Sequence, residues 1–266
     1  MNNRSDQEAI AKRLRGMLKE SGFLVGLVFA ARAARSDCAR LKFLAGRARV
    51  IRSYLREEGT PKLQLGAGRN VLPGWLNTDI RPRSAKVAYL DATRRFPFAD
   101  QTFHYVFSEH LIEHLKYEHG LHMLRECWRV LRPAGVLRIA TPGLDTIVGL
   151  IARPHSAVQE HYIKRAVDEH IPWADTYRAS FVINNFFWDF RHLFVYDAET
   201  LVAAMKSVGF VDVRRHSPGT SDDDNLRGIE SHGIQISEEM NRFETMVFEA
   251  VRPRLRAPAD QDADAA

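Results

Sequence analysis

Between Lys62 and Asp79 the chain reads KLQLGAGRNVLPGWLNTD, and no other stretch of its 266 residues restricts the fold so tightly. Lys62 to Leu65 alternates polar and apolar residues, Gly66 and Gly68 break the alternation, and a second short run, Trp75 to Thr78, ends at the carboxylate of Asp79. Glycine accepts backbone angles closed to other residues and presents no Cβ, so the break allows a sharp turn and the close approach of a ligand. A carboxylate closing the next strand accepts two hydrogen bonds and is the usual partner of a ribose diol. The stretch predicts strand, glycine turn and strand around a nucleoside-containing ligand; a plain tight turn reads the same in isolation.

The length suits one large α/β domain with extensions, or two small domains. Hydrophobic content of 45% with 27% charged residues is that of a soluble globular protein. Cys38 and Cys127 are far apart and form no C-x-x-C pair, which argues against a disulfide framework or a cysteine-held zinc and for a reducing cytoplasm. Residues 1–20 are polar and charged, so no cleavable signal is expected, and Phe23 to Ala34 is too short and too interrupted by arginine to span a bilayer. Residues 1–60 hold 13 Lys or Arg against 6 Asp or Glu, a net of +7, which leaves −2 of the total +5 for the remainder. A nucleic-acid enzyme carries its positive field around its cleft, so nucleic acid is not the expected partner.

Residues 7–57 lack proline and carry apolar residues at helical spacing, Ile10, Leu14 and Leu18 on one stripe and Leu41, Leu44, Val50, Ile51 and Leu55 on another. They predict an N-terminal helical extension, over residues 1–59. It is either a cap packed on the core or a basic surface in weak contact with anionic lipid. After Asp79 the chain alternates strand, turn and helix: a short run from Lys86 to Leu90 ending at Asp91, an aromatic and β-branched strand from Phe103 to Phe107, and a helical region opening between His110 and His119. Leu121, Leu124, Cys127, Trp128 and Leu131 keep helical offsets until Arg132-Pro133-Ala134-Gly135 stops them, and Val136 to Ala140 is a further buried strand. This alternation predicts an α/β, doubly wound and mostly parallel sheet whose ligands sit at the carboxyl ends of the strands.

Three phrases in this order, LQLGAGRNVLPGWLNTD, FPFADQTFHYVFSEHLIEHL and LRECWRVLRPAGVLRIATPG, resemble the class I S-adenosylmethionine-dependent methyltransferases, in particular the type 11-like bacterial ones with a G-x-G and G-W-x-N-x-D signature often found near cell-surface glycan genes. Residues 60–145 carry the likeness, and RHLFVYDAETLVAAMKSVGFVDVRR continues it more loosely. The resemblance implies a seven-stranded Rossmann-like methyltransferase domain over 60–252, its last strand, Thr245 to Val251, antiparallel. It implies S-adenosyl-L-methionine as cofactor, with Gly66, Ala67 and Gly68 against the methionine part, Asp79 and Ile80 at the ribose, Asp91 and Ala92 at the adenine, and Ser108 and Glu109 on the methionyl side. A nicotinamide site would want a third glycine where Arg69-Asn70-Val71 stands. Gln64 replaces the usual acidic residue before the first glycine, His104 an aspartate, and Ala134 a glycine. Asp79 stands only 11 positions after Gly68, so the first crossover helix is expected to be very short or absent.

Methyl transfer needs a positioned acceptor and, for a hydroxyl, removal of its proton. The candidate catalytic residues are His110, Glu113 and His114, with 110 and 114 expected on one face of a helix beginning near Glu109; Glu113 and His114 could equally brace that helix. No third ligand stands at a suitable spacing from the histidine pair, so no metal is expected. Residues 146–192 are dense in aromatics and histidine and predict a helical lid over the acceptor end, with Trp173, Tyr177, Phe186, Phe187, Trp188 and His192 as a stacking wall. Phe186 and Phe187 also fit simple burial of the lid. Ser217 to Gly233 reads as a polar loop, Asp222 to Asp224 as a solvated turn, and residues 253–266 as a disordered tail. The function expected from the resemblance is O-methylation of a saccharide, a glycolipid or another small-molecule hydroxyl. The alternative is a methyltransferase-like binding or scaffold protein without turnover.

Overall fold

The computed structural model describes residues 43–254. The chain divides into two compact units, residues 1–48 and 49–266. Of the first, residues 43–48 are described and are helical; in the second, residues 49–57 are helical (α1) and place Ile51 in the core, with Val50, Tyr54 and Leu55 packed against it. The stripe of Ile10, Leu14 and Leu18 and the tail from residue 255 lie outside the described residues. Among the described residues no helix is long and apolar enough to cross a membrane.

Seven strands form one sheet: β1 (Lys62–Leu65), β2 (Leu76–Asp79), β3 (Ala88–Tyr89), β4 (Phe103–Glu109), β5 (Leu131–Pro142), β6 (Val211–His216) and β7 (Thr245–Val251). Their order is β3-β2-β1-β4-β5-β7-β6. β1 to β5 run parallel, and β7 enters antiparallel to both β5 and β6. Chain order reverses at β1 and β4, whose carboxyl ends define the crevice where such sheets bind ligands. The central strands are buried on both faces: β1 packs Leu63 and Leu65, β4 packs Phe103, Val106 and Phe107, and β5 packs Leu137 and Ile139.

Helices cover the sheet because their apolar residues recur at three- and four-residue steps. In α2 (Tyr117–Val130) Met123, Leu124, Cys127 and Val130 face the core, and in α6 (Ala198–Val208) Leu201, Ala204 and Met205 do so. The α6 helix starts where the Asp197 carboxylate accepts from the Thr200 amide and stops at Gly209, whose φ of 107° is the left-handed conformation that ends helices. A second apolar cluster lies apart from the sheet core. It joins α3 (Leu144–Gly149), α4 (Ala157–His170) and α5 (Ala179–Trp188) to Met240 of α8 (Glu238–Glu244), which follows the short α7 (His232–Ile236).

Two expectations are corrected. β4 continues through Glu109, and no helix begins there: His110 has a φ of 46°, a single 3₁₀ turn spans Ile112–His114, and α2 starts at Tyr117. Asn, Asp and His tolerate the left-handed region better than other side chains, which lets the chain turn out of the sheet at His110. β5 begins already at Leu131, opposite Phe103, and resumes at Val136 after an irregularity. In that irregularity Ala134 itself takes a φ of 65°, while a Cβ on Gly135 would crowd the Arg132 carbonyl at 2.8 Å. The expected absence of a helix between Gly68 and Asp79 is what the structure has: residues 69–75 are turn and coil.

Candidate active site

A cavity of about 530 Å³ opens at the carboxyl ends of β1 and β4, within the ~300–1,000 Å³ range of small-molecule sites. One end is the glycine loop, Gly66 to Asn70; the other is walled by His110, Glu113, His114 and by residues of α4, α5, α7 and α8. Gly66 and Gly68 have φ of 67° and 53°, as the turn out of β1 requires. A Cβ at Gly66 would press on the Leu111 side chain at 3.2 Å, so the β4 exit and the glycine loop are fitted to each other.

Asp79 stands at the end of β2 and fixes this loop: its Oδ2 accepts from the Gly68 amide at 2.9 Å and its Oδ1 from the Arg81 amide at 2.6 Å. Asp91 accepts from the Thr93 amide and hydroxyl and pairs with Arg94 at 3.2 Å, Ala92 is buried in the sheet core, and Ile80 is exposed. Asp79, Ile80, Asp91, Ala92 and Ser108 do not line the cavity; Gly66, Ala67, Gly68 and Glu109 do. Ser108 Oγ and Gln64 Oε1, on the adjacent strands β4 and β1, are buried without a hydrogen-bond partner.

Glu109 is engaged by its own chain. Its carboxylate accepts from the Ser231 amide and hydroxyl and from the His232 amide at 2.9 to 3.1 Å, while Asn70 Nδ2 donates to the Ile229 carbonyl at 3.2 Å. The loop before α7 is thereby tied across the crevice. Its base is fastened by Arg138 of β5, fully buried and paired with Glu230 at 2.6 Å and Glu249 at 2.5 Å.

The three candidate catalytic residues come together, but not as a helix face. His110 Nδ1 lies 3.2 Å from Glu113 Oε1, an attraction of charges without hydrogen-bond alignment, so that oxygen is left unpartnered; Glu113 Oε2 accepts from Thr141 Oγ1 at 3.0 Å. Burial opposes the charged form of both groups, yet the pairing outweighs it, so the His110 pKa is raised and the Glu113 pKa lowered. The Glu113 carboxylate thus favours the protonated form of His110, which weakens it as the base the sequence suggests. Its ring stacks on His232 with centres 3.8 Å apart, and its Nε2 meets Thr245 Oγ1 at 3.2 Å. His232 Nε2 in turn lies 3.4 Å from Glu244, whose other oxygen accepts from the Tyr162 hydroxyl. Burial drives the Tyr162 pKa well above its usual value; burial also opposes ionisation of Glu244, but His232, His110 and Tyr162 together keep its pKa below the usual one.

His114 points to a different neighbour. Its Nδ1 faces the Arg191 carbonyl at 3.3 Å, and its ring lies 4.9 Å from that of His192, tilted by 54°. His192 Nδ1 is buried without a partner, and burial lowers the pKa of this histidine to about 4, so it is neutral. The segment that carries it is bound to the 3₁₀ turn, because the Leu193 and Phe194 amides both donate to the Glu113 carbonyl.

The expected stacking wall is not formed. Trp173, Tyr177 and Trp188 are 69%, 54% and 79% exposed and point away from the cavity; of the six residues only Phe186 and His192 line it. Residues that sequence reading passed over complete the wall instead: Tyr162, Ser231, His232 and Glu244. Between the expected polar loop and the strand after it, the three-residue spacing of Met240 and Phe243 in EEMNRFE is the sequence signal for the helix that carries Glu244.

Residues 74–139 match a family model described as a methyltransferase domain. The chain matches no curated protein at a significant level. Among solved structures it is similar to an S-adenosylmethionine-dependent methyltransferase from Archaeoglobus fulgidus, with 17% identity over 79% of this chain and 94% of that one and a TM-score of 0.45. It is also similar to phosphoethanolamine N-methyltransferase 2 of Haemonchus contortus in complex with S-adenosyl-L-methionine, with 16% identity over 74% of this chain and 49% of that one and a TM-score of 0.41. A third likeness is to a possible histamine N-methyltransferase from Thermotoga maritima, at 14% identity over 84% and 96% of the two chains and a TM-score of 0.42. The chain spans about half the length of the Haemonchus enzyme.

Proposed function

We propose that this chain, a class I S-adenosylmethionine-dependent methyltransferase by its matched domain and its sheet order, methylates a hydroxyl oxygen of a small polyhydroxylated acceptor such as a saccharide or glycolipid intermediate. The observation that carries the reading is the cavity: it joins the glycine loop at one end to a wall of histidine, glutamate and tyrosine at the other, with no basic cluster suited to a phosphate chain. Two arginines line it, Arg69 in the glycine loop and, apart from it on α4, Arg165, which is already committed to Glu169 and to the Gln235 and Ile236 carbonyls.

The residues present fit the cofactor. Gly66 to Gly68 offer backbone without side chains, Asp79 retains acceptor capacity at the ribose position, and the unpartnered Ser108 Oγ and Gln64 Oε1 lie in the strands that border the methionyl side. An acidic, carbonyl-rich pocket suits an ammonium and a positive sulfur. Asp91 and Ala92 would flank the adenine, with Ile80 beside Asp79. When bound, the cofactor supplies a methyl group on a sulfonium, already a good leaving group. What the chain contributes is orientation: the loop tied by Glu109 and the lid helices exclude water and hold the acceptor in line.

Calorimetric titration with S-adenosylhomocysteine, followed by labelled-methyl transfer to a panel of saccharides, amines and phosphoethanolamine, tests the reading. Binding in the micromolar range with label on saccharide hydroxyls is expected. Label on nitrogen acceptors alone overturns the oxygen assignment, and absence of S-adenosylhomocysteine binding overturns the enzyme reading itself.

A further inference from the structure

Two groups of potential metal ligands meet in the cavity wall: His110, His232 and Glu244, and Glu113, His114 and His192. In each, the ligand atoms lie within 4.8 Å of one another. The distances alone do not separate a cation site from a hydrogen-bond network, but the partners do.

The first group is already satisfied as a network. His110 is paired with Glu113 through Nδ1 and with Thr245 through Nε2, and His232 with Glu244. The rings of His110 and His232 are stacked at 3.8 Å. Two imidazoles bound through nitrogen at ~2.1 Å to one tetrahedral ion hold their ring centres ~5 Å apart, so this stack would have to open by about an ångström to share an ion.

The second group has the opposite character. The rings of His114 and His192 are 4.9 Å apart and tilted by 54°, which is the separation that two histidines on one ion adopt. His114 Nδ1 is directed at the Arg191 carbonyl, the kind of outer contact that fixes the tautomer and leaves Nε2 with its lone pair. Glu113 Oε1 and His192 Nδ1 are both buried and both lack a hydrogen-bond partner. Thr141 holds the other oxygen of Glu113, and Phe186 packs edge-on to His192 with centres 4.3 Å apart, so both side chains are oriented from behind. A carboxylate oxygen met only by the unaligned His110 ring at 3.2 Å, and an imidazole nitrogen with no partner, are costly in one buried corner unless a further group completes them.

From this we propose that Glu113, His114 and His192 bind a divalent cation of the zinc, cobalt or manganese type, whose remaining positions face the cavity and take the acceptor's hydroxyl oxygen. Two imidazoles and one carboxylate form a catalytic-type ligand set, three protein groups with an open position. A hydroxyl on such an ion loses its proton far more readily than a free one. The proton passes to water at the cavity mouth, the oxygen lone pair forms the new O–C bond, and the S–C bond breaks with its electron pair kept by sulfur. With the hydroxyl on the ion, His110 is not needed as a base. The role of the acceptor rests on the function proposed above; the ion itself does not.

The test uses the full chain without an affinity tag, freed of metal by chelation. Cobalt(II) titrated into it and followed by visible absorption should saturate at about one ion per chain, with zinc displacing it. His192→Ala, a substitution in the lid segment outside the sheet, should weaken cobalt binding at least ~10-fold, while His232→Ala, in the satisfied group, should change it less than ~3-fold. S-Adenosylhomocysteine titrations on the same samples report the cofactor half independently and confirm that each variant is folded. No binding of cobalt, zinc or manganese to the full chain up to about 1 mM overturns the proposal. Cobalt binding that survives His192→Ala, or that is lost on His232→Ala instead, also overturns it. If metal binds as expected but S-adenosylhomocysteine does not, the cation site stands and the methyltransferase reading fails.

Discussion

Along the glycine loop, one uninterrupted stretch from Lys62 to Asp79 supplies the strand end, the turn and the carboxylate that fixes it, whereas the facing wall gathers Glu113, His114, His192, His232 and Glu244 from four separate parts of the chain. The first region closes on itself through short contacts within the stretch, the Gly68 amide on Asp79, the Ala67 amide on the Thr78 carbonyl and the Thr78 hydroxyl on the Gln64 carbonyl. The second is held by long-range ties: Glu109 to Ser231 and His232, the Glu113 carbonyl to the Leu193 and Phe194 amides, and Tyr162 to Glu244. A cofactor common to many enzymes can be met by local backbone geometry, which tolerates change elsewhere. An acceptor particular to one enzyme is met by side chains on independent elements, each of which can vary by itself.

The heaviest test of this contrast is Arg138→Met. Arg138 joins Glu230, in the loop that roofs the acceptor side, to Glu249 in β7, and its removal leaves two carboxylates in a buried site. A loss of about 3–5 kcal/mol in urea unfolding is expected. A loss under about 1 kcal/mol would mean that the roof is not fastened through the sheet, and the long-range account of the acceptor wall would fall. The next test touches the local region alone. Asp79→Asn keeps the shape but removes the charge that orders the loop and, in the proposed function, receives the ribose, so S-adenosylhomocysteine affinity should drop roughly 10- to 100-fold, as for loss of a charge-assisted pair of hydrogen bonds. Unaltered affinity would remove Asp79 from the cofactor site.

What could be read from the amino-acid order follows the same division. The alternation of apolar runs and turns sufficed for the parallel strands and the missing first crossover helix, because each depends on residues close in sequence, whereas the antiparallel direction of β7 came from the family resemblance. The HLIEH phrase drew notice to His110, Glu113 and His114, but helical spacing was the wrong rule there: His110 lies in the left-handed region, so the three residues fan out to different partners. Nothing local to His232 or Glu244 marks them, since their partners lie 122 and 82 positions away in sequence, at His110 and Tyr162, and His192, read as part of a stacking wall, meets His114 78 positions away. Aromatic density in the lid misled for a related reason. Periodicity gives a helix its inner face, and Val182 and Phe186 occupy that face in α5, which turns Trp188 outwards.

Glu109 lies on the border between the two regions, and Glu109→Gln sharpens where the border runs. Sequence reading gives it to the cofactor, while the structure ties it to Ser231 and His232. If the second assignment governs, the variant loses about 1–2 kcal/mol of stability from weakened bonds to a charged acceptor, the KM for the acceptor rises, and S-adenosylhomocysteine affinity stays within about 3-fold. A fall in that affinity as large as for Asp79→Asn would erase the distinction and return Glu109 to the cofactor half.

The smallest effect is expected at Trp188. At 79% exposure at the end of α5 it buries little of its side chain, and its neighbours Phe186 and Phe187 pack against each other without it. Trp188→Ala should therefore alter unfolding free energy by no more than about 0.5 kcal/mol, as for surface positions free of special contacts, and leave kcat/KM for any saccharide acceptor unchanged. Phe186→Ala, which opens the second apolar cluster beside His192, should cost about 3–5 kcal/mol. Measured together, the pair separates two uses of aromatic side chains in one helix. If Trp188→Ala lowers kcat/KM while stability holds, the exposed face of the lid takes part in acceptor binding, and the acceptor wall extends beyond the cavity.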